Sequence, residues 1–227
     1  MNQGLFCAQI NEVEKILIRL ELLKNRIQWP SYRSFQASFF KNKSYIDIWQ
    51  LCIDNDLYDF LLNDNSLIQF RINCFEPLEI SYTYYECPYV ASIPYEKFIE
   101  GLDLSESDFR DELSSLRLYD YYLADLEKKP ACTPIRYDYN TKQYVEGRHP
   151  ASHFHLGFSN QIRIGTKKVL RPLSFLLFIL RQCYPIEWIR FMDLADSETI
   201  CRNIREHPSD IDTCFWKRRD SFEMILS

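Results

Sequence analysis

Asp56-Leu57-Tyr58-Asp59-Phe60-Leu61-Leu62, Asn63-Asp64-Asn65-Ser66 and Leu67-Ile68-Gln69-Phe70-Arg71-Ile72 follow one another without interruption. Two apolar runs joined by four turn-forming residues read as a β-hairpin. The next run, Leu78-Glu79-Ile80-Ser81-Tyr82-Thr83-Tyr84-Tyr85, is rich in aromatic and β-branched residues, as a strand should be. Strands this close in sequence pair antiparallel, because a parallel pair needs a crossover of a dozen residues or more. The middle of the chain is therefore expected to be a meander.

Strand patterns return at residues 133–139, 152–158 and 161–164, with 140–150 as the loop between the first two. On the N-terminal side Ile10, Val13, Ile16, Leu17, Leu20, Leu23 and Ile27 recur at three and four, which predicts one long amphipathic helix over residues 2–28, stopped by Trp29-Pro30. Tyr45-Ile46-Asp47-Ile48-Trp49 opens a different rhythm. Pro94 opens a short helix to Phe98, and Ser105-Glu106-Ser107-Asp108 caps another that reaches about residue 113. Residues 116–126 fit either a strand or a helix.

Pro172 sits at a helix start, before an apolar stretch that continues to Tyr184. Pro185 breaks that stretch, a helical pattern resumes over 186–194, and residues 197–205 and 211–225 read as helical with a break at Pro208. The reading is a single α+β domain spanning 1–227, an antiparallel sheet flanked by helices. It has a helical N-terminal segment at 1–29, a sheet-rich middle at 44–165 and a helical C-terminal segment at 172–225.

Burying 16 Phe and 15 Tyr can offset the conformational entropy of folding, which argues against disorder. With 27 basic and 32 acidic residues interspersed, the net charge of −5 neither requires nor forbids a local nucleic-acid groove. The densest basic run, Lys217-Arg218-Arg219, reads as a solvated helix end. Eight cysteines with no Cys-x-x-Cys and no signal-peptide pattern suggest reduced thiols in a cytoplasmic protein. The longest apolar run, residues 173–180 broken only by Ser174, is too short to span a bilayer, so no membrane association is expected.

Three of the four histidines, His149, His153 and His155, fall within seven residues, and Arg136 and Arg163 flank them. On a strand, His153 and His155 project from one face, as do Arg136 and Asp138 on theirs. If the two strands pair, the four side chains converge, with His149 at the loop mouth.

Such a pocket suits three uses. His153 and His155, with Asp138 or His149, could hold a divalent metal with an open position for water. His149, His153 and His155 could instead act as acid and base in phosphodiester cleavage, with Arg136 and Arg163 stabilising the extra negative charge of the transition state. A third use is purely structural: the same groups satisfy one another across the sheet.

Glu127-Lys128-Lys129 has the acid-x-lysine spacing of many metal-dependent nucleases, but no matching upstream aspartate is evident. No glycine-rich phosphate loop, Gly-x-Ser-x-Gly elbow or His-Glu-x-x-His occurs, which disfavours nucleotide hydrolysis by this chain alone. Tyr82, Tyr84, Tyr85, Tyr119, Tyr121 and Tyr122 are candidates for a base-stacking platform, a core edge or a partner surface.

The order of Tyr58-Asp59-Phe60-Leu61-Leu62-x-Asp64-x-Ser66-x-x-Gln69-Phe70, Ile135-Arg136-Tyr137-Asp138-Tyr139, His149-Pro150-x-Ser152-His153-x-His155-x-Gly157 and Pro172-x-x-Phe175 resembles a bacterial family, domain of unknown function 2290. The likeness covers residues 45–188. Asn65 departs from the glycine expected in the hairpin turn, though asparagine also tolerates positive φ. The resemblance implies a cytoplasmic bacterial protein of a kind often found near mobile or defence-related genes, and it supplies no reaction. By analogy, it fits a nucleic-acid-directed effector. The competing expectation is a noncatalytic subunit of a defence complex, docking on a larger ATPase or nuclease through its tyrosines or C-terminal helices.

Overall fold

The computed structural model describes residues 2–28, 42–90, 122, 126–159, 162–206 and 209–222. Seven strands form one antiparallel meander in chain order: β1 (Leu23–Arg26), β2 (Phe60–Leu62), β3 (Leu67–Phe75), β4 (Leu78–Tyr85), β5 (Ile135–Asn140), β6 (Ser152–Leu156) and β7 (Ile162–Gly165). β4 and β5 are direct neighbours even though residues 86–134 lie between them in sequence. Two compact units divide the chain, one built from residues 1–86 and 133–227 and the other from 87–132.

The β2–β3 hairpin turns at Asn65 with φ 63°, the left-handed region that asparagine visits more readily than most residues. The Asp64 carboxylate accepts from the Ser66 backbone N–H at 2.9 Å, an Asx turn that supplies locally the hydrogen bond a glycine turn would lack. Strand character begins only at Phe60, so the residues 56–59 read with this run enter it as turn and loop.

The predicted helix over residues 2–28 is shorter than its hydrophobic period suggests. α1 (Gln3–Arg19) stops where Glu21 takes φ 57°, and Leu23–Arg26 joins the sheet as β1. The edge of β2 offers unpaired backbone groups, and pairing with them outweighs the propensity to continue the helix. Residues 45–54 form α2 (Tyr45–Asp54). Its start is a capping box, in which the Ser44 hydroxyl accepts from the Asp47 N–H and the Asp47 carboxylate accepts from the Ser44 N–H.

α3 (Pro172–Cys183), α4 (Pro185–Met192) and α5 (Ser197–Glu206) follow the predicted helices closely, each of the first two opening on proline. Residues 211–225, expected to be helical, contain only the 3-10 turns Thr213–Phe215 and Asp220–Phe222 within the described part, after a two-stranded ribbon of β8 (Lys168–Val169) and β9 (Ser209–Asp210). Asp212 caps the first of these turns, and Asp220 turns its carboxylate inward, so both aspartates serve local turns in place of a helical face. The helices read over residues 94–98 and 105–113 lie outside the described residues, as does most of 116–126.

α1 and α3 pack on one face of the sheet. Phe70, Tyr82, Tyr137, Phe154, Val13, Leu17, Phe175 and Ile179 form the centre of that core, all at most 3% exposed. Tyr82 and Tyr84 belong to it, so neither can be part of an open stacking platform, and Tyr122 is buried too. No described helix is long and apolar enough to cross a membrane.

Candidate functional site

The sheet's other face is crossed by two rows of polar residues. Strand register aligns Arg71, Ser81, Asp138, His153 and Gly165 in one row, and Gln69, Thr83, Arg136, His155 and Arg163 in the next. Alternation along each strand sends the intervening apolar residues to the core. α2 covers the Gln69 end, where the Gln69 amide donates to the Leu57 carbonyl and reaches the Cys52 sulfur at 3.6 Å.

At the opposite end His153 and His155 are 2% and 3% exposed, which is unusual for imidazoles and demands partners. The His153 Nδ1 lies 2.8 Å from the Pro150 carbonyl oxygen, and the two Nε2 atoms face each other at 2.9 Å. A carbonyl only accepts, so the His153 Nδ1 carries the hydrogen and its Nε2 presents a bare lone pair to the His155 Nε2–H. Burial, reinforced by the neighbouring His155, pulls the His153 pKa down to about 4 and keeps the ring neutral at pH 7.

Asp138 completes the group. Its Oδ2 lies 3.4 Å from the His155 Nε2 and accepts from the Arg136 Nε at 2.8 Å, while Oδ1 accepts from the Ser81 hydroxyl at 2.6 Å. Burial alone would raise this carboxyl. The hydrogen bond from His155 and the Arg136 charge outweigh burial and hold it at about 2. Asp138, His153 and His155 each offer one ligand atom, and these atoms all lie within 4.8 Å of one another.

His149 stands beside this group, its ring 4.9 Å from that of His153 and edge-on to it. Its Nδ1 is buried with no hydrogen-bond partner among the described residues, and burial followed by the Arg163 charge lowers its pKa. The loop that carries it closes through the His149 N–H to the Val145 carbonyl at 2.8 Å, with Gly147 at φ 65° in the turn. Asp220 pins that loop. Its carboxylate accepts from the Tyr144 hydroxyl at 2.6 Å and from the Gly147 and Lys217 N–H groups at 2.8 Å each. Arg163, opposite His155 on β7, is exposed, and the Arg136 side chain keeps 35% of its surface open.

All six residues singled out in the sequence therefore meet in one region: Arg136, Asp138, His153 and His155 in direct contact, His149 against His153, and Arg163 in register with His155. Sequence reasoning missed Ser81, whose signal was its polar place in the alternation of β4, and Asp220, which approaches from 73 residues beyond Gly147 with no local pattern to announce it. Glu127-Lys128-Lys129 belongs to the 87–132 unit, where Lys128 bridges Tyr89 and the Lys129 N–H donates to the Pro88 carbonyl.

The sequence profile of the family described as "Uncharacterized conserved protein (DUF2290)" matches residues 11–220, and the chain belongs to that family. No curated protein and no solved structure gave a match.

Proposed function

We propose that this member of the family is a nucleic-acid-directed effector of a bacterial defence or toxin-like system that cleaves phosphodiester bonds at the histidine and arginine cluster. The observation that carries this reading is the row Arg136, His155, Arg163, in which two arginines stand in register on either side of a buried histidine across three adjacent strands. Two fixed cations beside a proton-transfer group suit the charge that builds on a phosphoryl oxygen in the transition state. His149 supplies a second proton-transfer group, its pKa lowered toward the neutral form that accepts a proton.

The test is incubation of the purified protein with labelled RNA and DNA, with and without chelator. His153→Ala and Arg136→Ala are expected to abolish cleavage while the chain still melts cooperatively. Full activity in both folded variants overturns the reading.

A second reading, a noncatalytic subunit that docks through its C-terminal helices, is favoured by α4. Ile186, Ile189 and Met192 are 69%, 63% and 42% exposed there, an apolar stripe at helical spacing. Recovery of a stoichiometric partner that Ile186→Glu and Ile189→Glu release, together with full biological function of the histidine variants, would replace the nuclease reading with this one.

A further inference from the structure

We infer that Asp138, His153 and His155 form the binding site for a single divalent first-row transition-metal ion. The inference concerns the same cluster as the proposed cleavage but does not depend on that reaction; with the ion bound, His155 serves as a ligand and His149 is left as the proton-transfer group.

Two nitrogens bound at ~2.0–2.1 Å to one tetrahedral ion lie about 3.4 Å apart. The His153 and His155 Nε2 atoms are 2.9 Å apart and the Asp138 Oδ2 is 3.4 Å from the His155 Nε2, so small side-chain adjustments, with the His155 hydrogen moved from Nε2 to Nδ1, place all three donors around one point. The same 2.9 Å contact argues against these two imidazoles working as an acid and base on either side of a phosphate. No phosphate fits between nitrogens already in hydrogen-bond contact.

The outer contacts point the same way. A metal-binding histidine ordinarily donates its other N–H to a carbonyl or carboxylate, which fixes the tautomer and aims the lone pair. His153 does this to the Pro150 carbonyl. A ligating carboxylate is likewise held from behind, and Asp138 is held by the Ser81 hydroxyl and the Arg136 guanidinium. Three protein donors leave positions open for water or a phosphoryl oxygen, the pattern of catalytic rather than structural sites.

The donor set selects the ion class. Mg²⁺ and Ca²⁺ require several oxygen ligands, whereas this site offers one carboxylate with a guanidinium beside it. Two imidazole nitrogens and one carboxylate suit zinc, manganese, iron, cobalt or nickel. Thiols are not part of the group.

The experiment strips the full chain with chelator and titrates it with Zn²⁺, Mn²⁺ and Mg²⁺ separately, reading stoichiometry by calorimetry and melting temperature by scanning. One equivalent of Zn²⁺ or Mn²⁺ is expected to bind and raise the melting temperature, with no response to Mg²⁺. His153→Ala and His155→Ala should each lose this binding, and Ser81→Ala, which leaves all three ligands in place, should weaken it about 10-fold.

If the histidine variants fold poorly, Asp138→Asn and Ser81→Ala decide the matter. No binding of either transition metal by the wild-type chain overturns the inference, as does one equivalent bound equally by folded variants of the three ligands. Cleavage by the chelated protein, together with no binding of Zn²⁺ or Mn²⁺ in calorimetry, overturns the metal site and leaves the proposed function standing. Stoichiometric metal without cleavage does the reverse.

Discussion

Phe70, Tyr82, Tyr137 and Phe154 stand side by side across four strands, their ring centroids 5.1 to 5.7 Å apart from one to the next. One residue away on each of those strands, Arg71, Ser81, Asp138 and His153 stand side by side on the opposite face. The two rows share a backbone and a register but differ in what holds them. The aromatic row gains from non-directional burial, and a lost neighbour costs it area. The polar row depends on each donor finding its acceptor, because an unpaired buried polar group loses its hydration with nothing in return. Stability is therefore concentrated on one face and directed chemistry on the other, and substitutions should separate the two.

The largest effect belongs to the aromatic face. Phe175 on α3 is fully buried, with its ring 6.0 Å from Phe70 and 5.8 Å from Tyr82. Phe175→Ala should lower the unfolding free energy by about 3–5 kcal/mol in urea denaturation. Metal affinity should be unchanged at temperatures where the variant stays folded. A loss below about 1 kcal/mol would mean that this face is not the main core.

The polar face should show itself in pH dependence. The His153 pKa is 6.5 in an unfolded chain and about 4 in the fold, so between those values the unfolded state binds more protons. Stability is then complete above pH 6.5, falls as the pH drops toward 4, and levels off below it. The total loss is on the order of 3 kcal/mol. Asp138 adds a further loss as the pH falls from 3.8 to about 2, because its folded pKa lies below its unfolded one. Urea titrations in chelator from pH 7 to 4 should show the first slope in the wild type. His153→Gln should reduce it, leaving the part contributed by His149, whose pKa is also lowered, and Phe175→Ala should shift the curve without changing its slope.

The contrast between faces was legible in the sequence to the extent that it is local. Ile80, Tyr82 and Tyr84 alternate with Ser81 and Thr83, and His153 and His155 are two residues apart, so period two alone assigns their sides. What escaped was settled by contacts distant in sequence. Leu20 and Leu23 continue the helical period of α1, and only the exposed edge of Phe60–Leu62 makes a strand of residues 23–26. The tyrosines of β4 look amphipathic in sequence, yet Tyr82 is fully buried, with Phe175 of α3 against its ring. Asp220 sits among Lys217, Arg218 and Arg219, a run that reads as solvated, and is 0% exposed because the Tyr144 loop folds over it.

The smallest effect sets two hydroxyls of the aromatic row against each other. The Tyr137 hydroxyl accepts from the Leu170 N–H at 2.9 Å and meets the Ser152 hydroxyl at 2.8 Å, tying β5 to the segment before α3. Tyr137→Phe strands the Leu170 N–H and should cost about 1–3 kcal/mol. Ser152 is spared, since its hydroxyl also donates to the Lys168 carbonyl at 2.8 Å. The Tyr82 hydroxyl is buried with no hydrogen-bond partner among the described residues. Tyr82→Phe removes that unpaired group and nothing else, so it should be neutral or stabilising by up to about 2 kcal/mol. Equal losses in the two variants, measured by urea denaturation, would mean that the Tyr82 hydroxyl has a partner of its own.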